Sequence, residues 1–354
     1  SSRFGSIHVS SKAGALRRPD PDRILFVPRK PALAESKHTF EQMARTGFVA
    51  SASLIHNNLA ISPGGWTACV HNSVNVGGGK LMLYSISSGQ SRAGPEVSQV
   101  TSVRYLDIGA GAVLCVSSTN GTQVYNEDAS TLLFFAPITD GGEAPDVQKG
   151  HQAACFVPGL QHIVIGTSKG SLVLVHAAAA DAFLAMPESA PASATTEISD
   201  LCFSPVTQTV FTAHSNGEIR LWAPSPQGAY SNADAMLGNG QAPVRILPLG
   251  TRLLVAYGPG TICLYDALSR ELQVELTAHA RWITGVTARE ELGQVASVGE
   301  DTVLNVWNID PSSGRVVLQH TSVVADKLLT GVAFTQAGAS VAAYDSDEIY
   351  QVTF

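Results

Sequence analysis

Short apolar runs that alternate inward and outward positions recur along the chain at nearly even intervals. The clearest set lies in residues 278–307. There residues 282–287 predict one strand and 294–298 a second; Gly299-Glu300-Asp301-Thr302 then turns into a third over 303–307. A period of two places successive side chains on opposite faces of a pleated strand. The third strand supplies a template: a turn residue, alternating positions, then an aromatic or bulky end. It closes at Tyr84, Tyr125, Val175, Trp222, Tyr265, Trp307 and Val352, with spacings of 41, 50, 47, 43, 42 and 45 residues. That interval matches a four-stranded propeller blade, so seven closings predict an all-β, seven-bladed ring.

Upstream anchors agree. Cys155-Phe156-Val157-Pro158 and Cys202-Phe203-Ser204-Pro205 stand at one offset from Val175 and Trp222, and a middle apolar run follows each. Outer strands are predicted at 131–135, 271–276 and 316–320. The final unit ends one strand short, so an early strand is expected to close the ring. Residues 47–51 are the first candidate for this clasp. Residues 24–27, bracketed by Pro21 and Pro28, suit only an edge position. The first unit is expected to begin near Leu54, and residues 41–354 to form the ring. Residues 177–197, 223–243 and 139–150 read as irregular loops, the first with a short helical piece.

Composition sharpens this picture. Apolar residues make up 45% of the 354 positions and charged residues 14%, which suits a large packed core and excludes a mainly disordered chain. The net charge of −7 is uneven. Residues 1–40 hold eight Lys/Arg against three acids, a surplus of five, so the rest carries −12. An acidic body argues against a nucleic-acid partner, whose phosphates need clustered cations. The basic 1–40 stretch reads as a solvated extension that could also meet an acidic partner. No apolar run is long enough for a membrane helix, and a secretory leader is not expected, although the chain opens on Ser rather than Met. Cys69, Cys115, Cys155, Cys202 and Cys263 each lie inside an apolar run without a CxxC pair. Reduced, buried thiols in a cytoplasmic setting are therefore expected.

With these repeats the chain resembles the WD-repeat β-propeller family over residues 54–354. The family's Gly-His start survives as Gly150-His151 and Ala278-His279, and its Trp-Asp end as Trp222-Ala223 and Trp307-Asn308. Only residues 278–307 keep His279, Ser297, Asp301 and Trp307 together. Lys169, Asn216 and Pro259 stand at the Asp301 place elsewhere. The resemblance implies a non-enzymatic scaffold that works by protein contacts on its rim or top face, with a cilium or cytoskeletal assembly one setting. Substrate receptor of a ubiquitin ligase is the alternative.

The candidate chemistry is weak. His279, Ser297 and Asp301 have the residue types of a nucleophilic triad, yet Asp301 lies in a tight turn. A structural clamp with Trp307 is the expected role. Gly77-Gly78-Gly79-Lys80 lacks the spacing and helix of a phosphate loop, and Asp345-Ser346-Asp347-Glu348 lacks a calcium loop's length. No cofactor or metal is expected. Arg281 and Trp282 pair the residue types enriched at interface hot spots and are the candidate partner-binding residues; Trp282 could equally pack between blades.

Overall fold

The computed structural model describes residues 25–26, 41–42, 52–72, 79–86, 88–97, 99–138, 150–191, 196–310 and 313–354. They form seven antiparallel sheets in chain order around a channel. The inner strands of blades 1 to 7 are Ala60–Ile61, Val100–Asp107, His151–Val157, Ile198–Ser204, Pro243–Leu249, Ile283–Arg289 and Leu329–Thr335. The predicted closing residues all lie in third strands, from Gly79–Ser85 in blade 1 to Ile349–Thr353 in blade 7. Where the second strand turns into the third, Gly217 and Gly260 adopt φ of 86° and 107°, a region a Cβ disfavours. Blade 6 makes the same turn with Thr302 at φ 67°.

The structure adds detail at the clasp and overturns two of the loop readings. The outer strand of blade 7 is Glu41–Gln42, antiparallel to Tyr350 and Gln351. An early strand does close the ring, but residues 47–51 lie outside the described residues. Leu25–Phe26 pairs in parallel with Glu275 and Leu276 as a fifth, edge strand of blade 5, away from the seam. Two supposed loops contain the outer strands missing from blades 3 and 4, Ala182–Ser189 and Tyr230–Leu237. Their small and polar residues hid them: in Ala182–Ser189 only Ser189 is buried, so no alternation was imposed. Of 139–150, only Gly150 is described.

The core is divided among the blade interfaces. Seven apolar clusters each join two neighbouring blades, for example Phe211 and Ile219 of blade 4 with Leu253 and Tyr265 of blade 5. Among the described residues, the cluster joining blades 7 and 1 contains only Leu59, Cys69, Met82, Ala333, Ala342 and Ile349 as buried members. Two of these are alanines, so this seam gains the least from hydrophobic burial.

Backbone pairing reinforces that seam. The expected first strand near Leu54 is instead an irregular segment, and blade 1 begins its ladder only at Ala60. Six inner strands carry a β-bulge at a corresponding place, leaving Thr101, Gln152, Ser199, Val244, Thr284 and Thr330 outside the ladder. The last three offer their free carbonyls to the irregular segment. Asn57 N–H donates to Thr284 O (2.7 Å), its side-chain amide to Val244 O (3.1 Å), and Asn58 N–H to Thr330 O (3.0 Å). Asn57 Oδ1 also accepts from Val286 N–H (3.0 Å). Fully buried Asn58 donates to Ser53 O and Val70 O and accepts from Val70 N–H at 2.7 Å. The segment thus ties blade 1 to blades 5, 6 and 7 across the channel. Gly331 is required beneath it, since a Cβ there would stand 2.6 Å from the Asn58 and Leu59 backbone.

A second tie crosses from blade 2. The buried carboxylate of Asp200 in blade 4 pairs with Arg104, whose other terminal nitrogen donates to Ala154 O and Leu201 O at 3.2 Å each. Ile246 N–H of blade 5 donates to the remaining Asp200 oxygen at 2.8 Å.

Asn58→Ala removes three buried hydrogen bonds and leaves Val70 N–H without its acceptor. A loss of about 3 kcal/mol of stability is expected, read as a lower urea midpoint with an unchanged slope. Gly331→Ala is expected to destabilise in the same direction through the clash.

Candidate functional site

In blade 6 the structure brings His279, Ser297, Asp301 and Trp307 into one hydrogen-bonded chain. Trp307 Nε1–H donates to Ser297 Oγ (3.1 Å), and Ser297 Oγ lies 2.8 Å from His279 Nε2. His279 Nδ1 lies 3.0 and 3.2 Å from the two oxygens of Asp301. Because an ionised carboxylate only accepts, the proton is assigned to Nδ1; Ser297 then donates to Nε2, giving a continuous chain of donors. Asp301 also accepts from Ala280 N–H (2.9 Å) and Val303 N–H (3.3 Å). Burial pushes its carboxyl up, but the His279 hydrogen bond, with these backbone donors, brings it below the ordinary value. Ser297, His279 and Trp307 are all buried. The serine hydroxyl is held between an indole and an imidazole inside a sheet, which gives a substrate no approach.

Other blades tie the same place with other residues, and sequence reading missed them. In blade 4, Trp222 Nε1–H donates to Thr212 Oγ1 (3.0 Å), which meets His214 Nε2 (2.9 Å), while His214 Nδ1 meets Thr196 O (2.9 Å). Thr replaces Ser, and the His comes from the strand itself. In blade 2, Ser117 meets Thr122 (3.0 Å), and Thr122 meets His151 Nδ1 of blade 3 at 2.9 Å. Blade 5 uses the hydroxyls of Tyr257 and Tyr265 at 3.0 Å. The available signal was a polar residue facing another across the second turn.

Arg281 and Trp282 sit together in the loop entering blade 6 but have different surroundings. Arg281 is exposed. Trp282 is half-buried and lies against Gly258 of blade 5, where a Cβ would come within 2.1 Å of its ring. His56 of the channel segment stacks over it, with centroids 6.3 Å apart and planes 25° apart. Its indole nitrogen is buried and has no hydrogen-bond partner among the described residues.

The channel has two unlike mouths, and Asn57 and Arg104 line both. At the end where inner strands begin, a cavity of about 310 Å³ is lined by Thr101, Gln152, Glu197, Ser199 and His56. Gln152 donates to Glu197, whose carboxyl is raised by burial. At the opposite end a cavity of about 620 Å³ is largely apolar. Each blade places one half-buried residue there, in register with its closing position through the second strand. Blades 2, 3, 4 and 7 contribute Tyr105, Phe156, Phe203 and Phe334. Ile61, Pro248 and Ala288 complete the level. The Arg289 guanidinium lies 4.5 Å from the centre of the Phe334 ring.

Among the described residues no group of three His, Cys, Asp or Glu is arranged to hold a metal ion. All five cysteines are free and buried, and burial raises the Cys69, Cys115 and Cys155 thiols to about 12. Asp345-Ser346-Asp347-Glu348 forms the second turn of blade 7. Asp345 N–H donates there to Ala52 O at 3.2 Å, and Glu348 N–H to Ser346 Oγ.

Asp301→Ala is expected to lower stability by on the order of 1–3 kcal/mol; an unchanged melting temperature would remove the clamp role. His151 gives a pH signature. Burial lowers its pKa from 6.5 to about 4, so between these values the unfolded chain takes up a proton that the folded chain refuses. Stability attributable to this group is complete above pH 6.5 and falls as pH drops toward 4, by about 3 kcal/mol in all. Thermal unfolding of His151→Gln is expected to show a shallower decline across that window.

Comparison with known proteins agrees with this architecture. A profile of the WDR54 family matches residues 79–353. WD repeat domain 54 of Rattus norvegicus is 26% identical over 326 residues, covering 84% of this chain and 95% of that protein. WD repeat-containing protein 54 of Homo sapiens is 27% identical over 274 residues, covering 73% and 79%. A chain of the solved "Crystal Structure of Mitotic Checkpoint Complex" superposes with a TM-score of 0.67 at 14% identity, covering 93% of this chain and 98% of that one, a likeness of fold. The chain is a WD-repeat β-propeller and belongs to the WDR54 family.

Proposed function

We propose that this protein is a non-catalytic scaffold of a larger cytoplasmic assembly, holding partner proteins on the end of the ring that carries Arg281. One observation carries the reading. The only complete His, Ser and Asp set singled out in the sequence is internally saturated and buried in blade 6, while Arg281 beside it is exposed. A WD-repeat ring supports contact work, and the fold neighbour comes from a structure titled as a complex. The net charge of −7 favours protein partners over nucleic acid. Five free, buried thiols support a reducing compartment. A cilium or cytoskeletal setting follows from the family resemblance alone.

Trp282 acts in this reading as the support that holds the loop against Gly258 and His56, and Arg281 as the group that meets the partner. Arg281→Glu is expected to reduce partner capture in affinity purification about tenfold without changing the melting temperature. Undiminished capture would remove Arg281 from the interface. The same purification with residues 1–40 deleted tests the basic stretch: loss of every partner would move the function there. Ligase adaptor subunits in the eluate would overturn the plain scaffold in favour of a substrate receptor.

A further inference from the structure

The larger channel cavity has a property that sequence motifs did not flag. Its walls are the apolar level described above, four aromatic rings among seven positions, and Asn57 with Leu59 lines its inner end. It is a cup whose inner end adjoins the polar cavity at Asn57 and Arg104. At its base stand two guanidinium groups and one carboxylate. Asp200 is committed to Arg104 and to Ile246 N–H, whereas Arg245 Nε lies 3.9 Å from the nearer Asp200 oxygen, beyond hydrogen-bond reach. Arg245 Nε is buried without a hydrogen-bond partner among the described residues, and its side chain is only 16% exposed. Burial, followed by the charge of Arg104, lowers its pKa to about 10. The base thus carries one positive charge more than it balances, in surroundings where an unpaired charge is costly.

We propose that this cup receives an extended segment of a partner protein, which inserts apolar or aromatic side chains and delivers one carboxylate to Arg245. Charge complementarity selects the carboxylate, and the aromatic wall selects its neighbours. The cavity's size lies within the range of ligand sites, about 300–1,000 Å³. The rim decides against a polyanion, because Asp107 and Glu290 are exposed and line the same cavity. Those carboxylates repel phosphate chains and suit a Lys or Arg flanking the inserted acid. The inference deepens the scaffold reading and rests on it, but it assigns a site on the end of the ring opposite Arg281.

The test titrates the full chain with two fluorescein-labelled peptides, acetyl-Lys-Phe-Glu-Phe-Lys-amide and its counterpart with Gln for Glu, by fluorescence anisotropy. The Glu peptide is expected to bind about tenfold tighter, the weight of one charge-assisted contact. Arg245→Met is expected to erase that preference, Arg245→Lys to keep part of it, and Phe203→Ser to weaken both peptides. Near-UV circular dichroism reports that each variant retains its packed ring. If Arg245→Met does not fold, the Glu-against-Gln comparison in the unaltered protein and the Phe203→Ser variant still decide. Equal binding of the two peptides, no binding of either, or a preference that survives in folded Arg245→Met overturns the proposal. So does 3-phenylpropionate competing at the peptide's own concentration, which would make the ligand a small acid. Partner capture that persists in Phe203→Ser while both peptides fail to bind leaves the scaffold reading intact and removes only this site.

Discussion

The structure depends on closing a ring whose core is divided. Each blade buries apolar side chains only against its two neighbours, so every seam must hold for the circle to hold. Six seams are rich in large side chains, whereas the one between blades 7 and 1 relies on Leu59, Cys69, Met82, Ile349 and two alanines. Hydrogen bonds compensate there. The segment before Ala60 leaves the sheet, crosses the channel and uses carbonyls that β-bulges have released in blades 5, 6 and 7. Bulges that look like ladder defects are thus the acceptors of the closure. Asn58 then returns the segment to blade 1 through Ser53 and Val70.

The opposite arc is tied by charge. Arg104 reaches from blade 2 to Asp200 of blade 4, with Ala154 of blade 3 alongside, and Asp200 extends the tie to Ile246 of blade 5. A buried ion pair recovers its desolvation cost only when its remaining polar groups are satisfied. The Arg104–Asp200 pair comes close to that condition. Arg104 Nε also lacks a partner among the described residues, but both its terminal nitrogens are engaged, whereas Arg245 stays beyond hydrogen-bond reach of Asp200; this difference separates a structural tie from a candidate binding group.

Much of the fold was legible because a repeated period survives variation in individual residues. The closing positions marked seven third strands, and Trp307, Ser297, Asp301 and His279 lie in one hydrogen-bonded chain. The outer strands of blades 3 and 4 were not legible, since their side chains are mostly exposed and impose no alternation. Nor were the substitute ties, such as Trp222 with Thr212 and His214, because the geometry is kept while the residue types change. The clasp at Glu41–Gln42 spans two polar residues and carries no strand signal at all. The candidate cup escaped notice for a further reason: its parts lie one per blade, and only the ring brings Phe156, Phe203 and Arg245 together.

Asn57 and Arg104 sit where the two channel cavities adjoin. Thr101, Gln152 and Glu197 face one side, and the aromatic level faces the other. The two ends of the channel thus present linings of opposite character. Polar contacts at one pole weaken with salt, whereas apolar contacts at the other weaken with cold. One small ring therefore carries two surfaces whose contacts respond to different changes in their surroundings.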